Sequence, residues 1–306
     1  ISRVFSLEEA LEFIEGDEVA IGEQNTEGVD YEFGVLKGLK IGEEYTITEI
    51  KAPVGYLPLK DPIKLNFNGT AILAVKDKMP NIGTKAIDSD TKDHISNPDA
   101  KVKIWDEVSY INLNPGEEYT VQGTLVDKKT EKVVKDDNGK PVKSEKVTFT
   151  APSSEGRIKV PFTLSAKHLA GKTTVVFEEM YYDGQLIASH LESGSKEQTI
   201  HFPKIGTKAN LGDNKNVKDV VSYKNLIPGK TYTMKGWLVD KNGNKVPNSD
   251  SMQKFKPKKP SGKIIMRLNG KSAKGKTVVF EECRLKGKLV GSYKNLKDKH
   301  QTVNID

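Results

Sequence analysis

Short runs in which hydrophobic and polar residues alternate cover most of the chain, and they predict β-strands. A period of two places successive side chains on opposite faces, so that one face of each strand can be buried. Helical spacing occurs at residues 6–14, where Ser6 can cap a short helix with Glu9 three residues later. The clearest alternating runs are residues 45–50, 119–126, 146–150, 173–178 and 232–239.

Residues that favour tight turns separate these runs. Three groups lie between alternating segments, at which hairpin turns are expected: Asp137-Asn138-Gly139, Asp183-Gly184 and Asn242-Gly243. Many short strands punctuated by such turns are typical of β-sandwiches. The sequence therefore predicts an all-β fold.

A long internal repeat divides the chain. The segment DEVSYINLNPG at 106–116 is echoed by DVVSYKNLIPG at 219–229, and VVFEE at 175–179 returns at 278–282. The offset is 113 residues between Asp106 and Asp219 and 103 residues between Phe177 and Phe280. A period near a hundred residues fits whole tandem domains rather than the small units of a solenoid.

The same repeat indicates where domains begin. The motif IGTKA occurs at 82–86 and again at 205–209, and Pro80 and Pro203 precede its two copies. We therefore predict three tandem β-sandwich domains of the immunoglobulin-like or prealbumin-like kind. They are called here the first domain (1–81), the middle domain (82–203) and the last domain (204–306).

The charge of the chain argues against nucleic acid as a partner. The net charge is +6, but only four of the 48 basic residues are Arg, and no basic stripe alternates with aromatic residues. The densest basic cluster, KPKKP at 256–260, is interpreted as a charged loop or as protection of a sheet edge. The single cysteine, Cys283, excludes an intrachain disulfide and is expected to be a buried apolar residue.

The first domain carries a motif that resembles the YxLxExxAPxGY strand of Cna protein B-type domains of Gram-positive surface proteins. The matching residues are Tyr45, Ile47 in place of Leu, Glu49, Ala52, Pro53, Gly55 and Tyr56. The resemblance implies that Glu49 promotes an amide bond between a Lys on the first strand and Asp77 on a last strand at 71–77. No opening Lys strand is recognisable. The alternative is that Glu49 is an ordinary strand residue and no crosslink forms.

The two repeats resemble the VaFE modules, or Thr–Gln ester-bond domains, of Gram-positive adhesins. The resemblance covers 82–306 and depends on an ordered set: Thr, Asp-x-Val-Ser-Tyr, Val-Val-Phe-Glu, His and Gln-Thr. It implies that a Thr on the first strand attacks a Gln side chain on the last strand, releasing ammonia and leaving an ester. The implied residues are Thr84, Asp106, Glu178, His190 and Gln198 in the middle domain and Thr207, Asp219, Glu281 and Gln301 in the last domain.

These residue types suit that chemistry. A Thr hydroxyl needs a base, for which His190 is suited near neutral pH, and a carboxamide must be polarised by a protonated carboxyl. If Asp183-Gly184 is a two-residue hairpin loop, Glu179 rather than Glu178 shares the face of His190, because one residue of register reverses the face. The choice between the two glutamates therefore stays open.

The second copy departs from the first at the position of the base. Tyr293 stands eight residues before Gln301, where the first copy has His190 eight residues before Gln198. His300 adjoins Gln301 and is expected to point to the opposite face. Either Tyr293 suffices as a hydrogen-bonding group, or the last domain lacks its ester or forms it slowly.

These observations predict a non-enzymatic stalk segment of a Gram-positive surface adhesin or pilus-like fibre. One alternative is a ligand-binding adhesin head, although Trp105 and Trp237 are too few to indicate an aromatic binding patch. Another is a hydrolase that uses Thr84, Asp106 and His190 on an external substrate. We expect no cofactor, metal, nucleic acid or membrane span, a monomeric fragment, and an extracellular full-length protein covalently anchored to the cell wall.

Overall fold

The computed structural model describes residues 39–49, 52, 54–69 and 77–306, and the backbone of the strands at 4–5, 19–24, 31–36 and 71–75. The helix predicted at 6–14 lies outside the described residues. Within them the regular elements are β-strands and three single-turn 3-10 helices, at Lys167–Leu169, Asp213–Lys215 and Lys299–Gln301. The prediction of an all-β fold is confirmed.

The first domain contains a four-stranded sheet in the order β1-β3-β2-β6 and a separate hairpin of β4 and β5. Strand β2 runs parallel to β6, whereas the other pairs are antiparallel. Both β4 and β6 end earlier than predicted, so Asp77 follows the last strand instead of lying within it. The strands are β1 Val4–Phe5, β2 Val19–Gln24, β3 Tyr31–Leu36, β4 Glu44–Ile47, β5 Ile63–Asn66 and β6 Ala71–Val75.

The middle domain is built from two antiparallel sheets. One has the order β12-β8-β7; the other has the order β10-β9-β13-β14, with β11 paired to β9 and β15 paired to β13. The strands are β7 Asn81–Asp88, β8 Val102–Ile111, β9 Glu118–Asp127, β10 Lys132–Val133, β11 Val147–Thr150, β12 Gly156–Leu164, β13 Thr173–Tyr182, β14 Gln185–His190 and β15 Thr199–His201.

The last domain repeats this arrangement without a counterpart of β10. Its sheets have the orders β16-β17-β20 and β19-β18-β21-β22, with β23 paired to β21. The basic segment 256–260 is a loop between β19 and β20, which agrees with its interpretation as a charged loop. The strands are β16 Lys204–Leu211, β17 Asn216–Lys224, β18 Tyr232–Asp240, β19 Ser251–Phe255, β20 Gly262–Asn269, β21 Gly275–Leu285, β22 Lys288–Tyr293 and β23 Thr302–Ile305.

Alternation along the strands builds the core between the two sheets. On β8 every second residue from Val102 to Tyr110 is buried, and Asp106 is the one charged member of that buried row. The core of each repeat also contains a buried tyrosine. The hydroxyls of Tyr119 and Tyr232 accept the backbone N–H of the residues five positions earlier, Asn114 and Ile227. These paired tyrosines fix the loop that follows β8 and β17.

The predicted hairpin at Asp183-Gly184 is present. Tyr182 pairs with Gln185, and both loop residues have left-handed φ, 44° and 76°, as a type I′ turn requires. Gly139 and Gly243 also have positive φ and close turns through their N–H groups, which donate to the carbonyls of Asp136 and Asp240 at 3.0 Å. All three predicted turns therefore exist.

Neighbouring domains are joined in the same way at both junctions. The side-chain N–H of Asn112 donates to the carbonyl of Met79 at 3.0 Å, and that of Asn225 donates to the carbonyl of Phe202 at 3.3 Å. Both asparagines adopt left-handed φ, 64° and 62°, a conformation that Asn tolerates better than most residues. The repeated asparagine thus holds the end of the preceding domain.

Hydrophobic contacts reinforce both junctions. Leu57 of the first domain is buried in the core of the middle domain, and Ile95 of the middle domain is buried in the core of the last domain. Ile95 lies in the β7–β8 connection. The offset between the repeats falls from 123 residues, between Thr84 and Thr207, to 113 residues, between Asp106 and Asp219. It falls because this connection is longer in the middle domain than its counterpart in the last domain. The extra residues of the middle domain therefore serve the junction.

Candidate functional site: threonine, glutamine and paired carboxyls

The middle-domain candidates converge where the first strand of the domain meets the opposite sheet. Thr84 lies on β7, and its Oγ1 is 3.3 Å from Nδ1 of His190 at the end of β14. Thr84 is 8% exposed and faces the interior. The threonine and the histidine predicted to act on it are therefore in direct hydrogen-bonding contact.

Two carboxyl side chains lie buried beside this pair. Asp106 is paired with Ala86, two residues from Thr84 along β7, so that it shares the face of Thr84. Asp106 and Glu178 are both fully buried. Burial, and then the adjoining carboxyl of Asp106, hold the pKa of Glu178 well above its usual range. Burial also raises the pKa of Asp106, against the partly opposing effects of Glu178 and His190. The protonated form of Glu178 is accordingly favoured.

A glycine on the neighbouring strand makes room for this carboxyl. Gly123 lies opposite Glu178, and a Cβ at Gly123 would stand 2.5 Å from the ring of Phe162 and closer still to Oε1 of Glu178. The last domain has Gly236 opposite Glu281, although a Cβ there would make only an ordinary contact, with Leu268 at 3.4 Å. Sequence reasoning missed both glycines, although an isolated glycine inside a strand, present at the same place in both repeats, is a signal of close approach.

Gln198 is positioned by backbone contacts to both sheets. The carbonyl of the preceding Glu197 accepts the N–H of Ala86 at 2.9 Å, and the carbonyl of Gln198 itself accepts the N–H of Val176 at 3.0 Å. The Gln198 side chain is fully buried, with no hydrogen-bond partner for its amide among the described residues. The segment just before β15 thus brings Gln198 alongside β7 and Thr84.

The register of β13 and β14 distinguishes the two glutamates. Glu178 is paired with His190, whereas Glu179 is paired with Ser189 and accepts a hydrogen bond from Tyr181 at 3.0 Å. Asp183-Gly184 is a two-residue loop, but a bulge between Met180 and Tyr181 shifts the register by one residue. The loop length alone would place Glu179 on the face of His190. Because of the bulge, Glu178 lies on that face instead.

The last domain assembles its four candidates with different hydrogen bonds. Oγ1 of Thr207 donates a hydrogen bond to Oδ1 of Asp219, and Nε2 of Gln301 donates to Oε2 of Glu281 at 3.1 Å. Asp219, Glu281 and Gln301 are fully buried. Burial, and then the adjoining Asp219, raise the pKa of Glu281 to about 10. Thr207 therefore contacts the aspartate, whereas Thr84 contacts a histidine.

Tyr293 holds the strand position of His190. It is paired with Glu281 just as His190 is paired with Glu178, and its hydroxyl donates to Oδ2 of Asp298 at 2.7 Å. His300 is exposed in the 3-10 helix that ends at the buried Gln301, in keeping with its expected outward direction. Sequence reasoning missed the carboxylates beside Tyr293 and His190. Asp298 accepts the hydrogen bond of Tyr293, and Oε2 of Glu192 lies 3.7 Å from Nε2 of His190.

The first-domain candidates are also adjacent. Asp77 is 3% exposed, and burial together with the neighbouring carboxyl of Glu49 raises the pKa of Asp77 to about 7. Oε2 of Glu49 accepts the N–H of Leu59 at 2.6 Å. The structure therefore brings together the two residues that the Cna B-type resemblance indicates.

Three further features bear on function: the single cysteine, possible metal ligands and possible membrane-spanning helices. Cys283 is fully buried, and burial raises the pKa of its thiol to about 12, as expected for an apolar core residue. Among the described residues no group of three or more His, Cys, Asp or Glu side chains could hold a metal ion. No helix in the same part of the chain is long and apolar enough to cross a membrane.

Fold and site together define tandem β-sandwich domains in which a Thr on the first strand and a Gln near the last strand lie beside a buried pair of carboxyls. A model of the family described as "T-Q ester bond containing domain" matches residues 80–202 and 205–305. These two matches cover most of the chain, and the chain belongs to this family. No curated protein matches it.

Solved structures with similarity to the chain are distant. An adhesin from Mobiluncus mulieris, described as containing intramolecular disulfide, isopeptide and ester bond cross-links, is 16% identical over 68% of this chain and 82% of its own, with a TM-score of 0.34. The major pilin subunit of Bacillus cereus is 17% identical over 95% and 96%, with a TM-score of 0.29. Similarity at this level carries no functional argument for this chain.

Proposed function

We propose that this chain is a non-enzymatic, load-bearing stalk segment of a Gram-positive surface adhesin or pilus-like fibre, stabilised by intramolecular Thr–Gln ester bonds. The observation that carries the proposal is the middle-domain site. There a Thr on the first strand and a buried Gln beside the last strand lie next to a buried pair of carboxyls. Membership of a family named for this bond supports it.

The proposed reaction joins Thr84 to Gln198. Oγ1 of Thr84 transfers its proton to Nδ1 of His190 and attacks the side-chain carbonyl carbon of Gln198. Protonated Glu178, with Asp106 beside it, donates a hydrogen bond to the reacting carboxamide and stabilises the charge that develops. The new C–O bond replaces the C–N bond, the proton held by His190 passes to the leaving nitrogen, and one ammonia departs.

Burial explains why the reaction would stop at this single product. Gln198 is fully buried and Thr84 is 8% exposed, so water has little access to the ester. The nucleophile is consumed in the first turnover. A hydrolase acting on an external substrate would need an open approach to Thr84, and the buried surroundings favour a self-crosslink.

The mechanical consequence follows from the strands that are joined. An ester between Thr84 and Gln198 ties the start of the middle domain to its end, so that force applied along the chain loads a covalent bond and bypasses the hydrogen-bond ladders. If loop closure by an ester resembles that by a disulfide, closing about a hundred residues stabilises the domain by on the order of 4–5 kcal/mol.

The junctions between domains also suit a stalk. Asn112 and Asn225 make the same hydrogen bond to the end of the preceding domain, and each junction inserts a hydrophobic side chain into the next core. Such joints resist bending better than a flexible linker would. An adhesin head would instead need a ligand groove with exposed aromatic residues. Of the two tryptophans, Trp105 is the more accessible, at 37% exposed, and one such residue is too little to form that groove.

The decisive experiment is the intact mass of the purified chain under denaturing conditions, followed by a peptide digest. Each ester formed by amide attack removes one ammonia, and the digest should contain a species linking the Thr84 and Gln198 peptides. Unmodified Thr84 and Gln198 peptides without a linked species would show that the crosslink does not form. Turnover of added esters or amides would favour the hydrolase.

A further inference from the structure

A cavity of about 510 Å³ lies between the middle and last domains, and two of its lining residues, Lys196 and Thr199, flank Gln198 in the chain. Residues from both domains line it, and cationic side chains predominate. Four lysines and two histidines face the cavity: Lys128, Lys129, Lys196 and Lys230, with His94 and His201. We infer that this cavity is a binding site for a phosphate or sulfate monoester attached to a group the size of a sugar.

Two of the lysines are fixed by the protein. Nζ of Lys128 donates to Oγ1 of Thr199 at 2.8 Å and approaches the carbonyl of Ser195 at 3.3 Å. Nζ of Lys230 makes an ion pair with the buried Asp93. One anchored ammonium therefore comes from each domain, and a ligand that contacts both would bridge the junction.

The other two lysines are free to close on a ligand. Lys129 and Lys196 are exposed, and neither makes an ion pair with a carboxylate among the described residues. The carboxylates around the cavity already have cationic partners. Asp93 contacts Lys230 and Lys286, Glu197 lies 3.4 Å from Lys85 and 3.8 Å from His94, and Glu192 lies 3.7 Å from His190. Asp93 and Glu197 thus offset the charge of Lys230 and of a protonated His94, whereas Lys129 and Lys196 have no carboxylate partner among the described residues.

The two histidines can donate further hydrogen bonds to an anion when their rings are protonated. His201 is held by a 2.9 Å contact between its Nδ1 and Oδ1 of Asn225, the junction asparagine. Burial, and beyond it the charges of Lys128, His94 and Lys230, lower the pKa of His201. A bound anion would reverse that effect by favouring the protonated ring. Nδ1 of His94 is buried without a partner among the described residues.

The side-chain types select the class of ligand. Lysine ammoniums are point charges that suit tetrahedral oxyanions, whereas planar carboxylates are better matched by arginine forks. Several cations around one cavity favour an anionic ligand over an uncharged one. The volume exceeds that of a bare ion and falls in the range of small-molecule sites, and Ile227 with the aliphatic lysine stems can cover an organic group.

The test is calorimetric titration of the whole chain at constant ionic strength with N-acetylglucosamine 6-phosphate, N-acetylglucosamine 6-sulfate, inorganic phosphate and uncharged N-acetylglucosamine. We expect at least one ester to bind and the uncharged sugar not to bind. The double variant Lys129→Gln/Lys196→Gln should weaken binding about tenfold or more, and Lys230→Gln should weaken it from the other domain.

The matched control is Lys146→Gln/Lys254→Gln, which removes the same charge from two exposed positions, one just before β11 and one on β19. The control should bind as the parent does. Equal weakening in both double variants would show non-specific charge attraction and overturn the site. Failure of both esters to bind the parent would also overturn it, as would binding of inorganic phosphate alone. None of these results depends on whether Thr84 and Gln198 are linked.

Discussion

The hydroxyl of Tyr293 donates a hydrogen bond to Asp298 at 2.7 Å, in the strand position where the middle domain has His190. This hydrogen bond, together with burial, raises the pKa of Tyr293, so the phenol is even less able to act as a base near neutral pH. Thr207 instead contacts Asp219. The two repeats therefore have the same fold and the same four site residues but different partners for the nucleophile.

We expect the Thr207–Gln301 ester to be absent or incomplete in the unaltered chain, while the fold of the last domain persists. Tyr293→His should increase crosslinking, because Asp298 is placed to orient the new imidazole. The measurement is the fraction of linked Thr207–Gln301 peptide over time after purification. A complete ester in the parent chain would contradict this prediction and show that the base at position 293 is dispensable.

Thr84→Ala should destabilise the middle domain far more than an ordinary threonine truncation. If the ester forms, the variant loses loop closure worth on the order of 4–5 kcal/mol, compared with about 0.5 kcal/mol for a typical surface change. Thr163→Ala is the matched control, since Thr163 is exposed on strand β12. Thermal unfolding and protease resistance report the difference. Equal behaviour of the two variants would count against a structural role for the bond.

Glu281→Gln should change how the last domain responds to pH. The pKa of Glu281 is raised to about 10, so the folded state holds a proton that the unfolded state releases above about 4.5. Wherever the folded state binds more protons, stability falls as pH rises. The unlinked domain should therefore lose stability between about pH 4.5 and 10. Glu281→Gln should flatten that dependence, as measured by denaturant unfolding at several pH values. An unchanged slope would mean that Glu281 is ionised in the folded domain.

Asp77 offers a comparable test of the first domain. Its raised pKa, about 7, means that its contribution to stability declines as pH rises from about 3.8 through 7. An amide bond to a lysine would remove this titration, because the carboxyl no longer ionises. Carboxyl-selective NMR of the chain, with Asp77→Asn as the assignment control, should therefore show a titration near 7 only if Asp77 is not crosslinked. A linked Asp77 peptide in a digest would identify the lysine.

Asn225→Gly should loosen the junction between the middle and last domains. The Asn225 side chain donates to the carbonyls of Lys172 and Phe202 and accepts from Thr173 Oγ1 at 2.7 Å, beside its contact with His201. Glycine tolerates the left-handed φ of this position, so that the variant removes hydrogen bonds without adding backbone strain. Each lost bond should cost about 1 kcal/mol.

The control for this junction variant is Asn214→Gly, at an exposed position with φ of 56°. Small-angle scattering should show a broader range of interdomain angles for Asn225→Gly than for the parent, and no change for Asn214→Gly. The same distribution for both variants would mean that the hydrophobic contact of Ile95 and the ion pair of Lys230 with Asp93 hold the junction without Asn225.

Local pattern was enough to predict the fold class, whereas the candidate site residues came from the resemblance to Thr–Gln ester-bond domains. Alternation of period two depends on neighbouring residues along one strand, so the strands at 119–126 and 232–239 could be recognised without knowing their partners. The hairpin turns could be predicted because Gly139, Gly184 and Gly243 supply the left-handed φ that such turns demand. The repeat added the ordered set of Thr, Asp, Glu and Gln.

Only the tertiary structure decided how those residues pair and what lies between the domains. Whether Glu178 or Glu179 faces His190 depends on a bulge, which is set by packing across β13 and β14 and leaves no mark in the hairpin loop. The contact of Thr84 with His190 joins residues that are far apart in the chain. Thr207 contacts Asp219 instead of the residue at the position of His190, although the two motifs are nearly identical. The lysine-lined cavity combines Lys128 and Lys230 from two domains. The residues that make these sites come together only when the sheets pack, because no local preference of the chain encodes them.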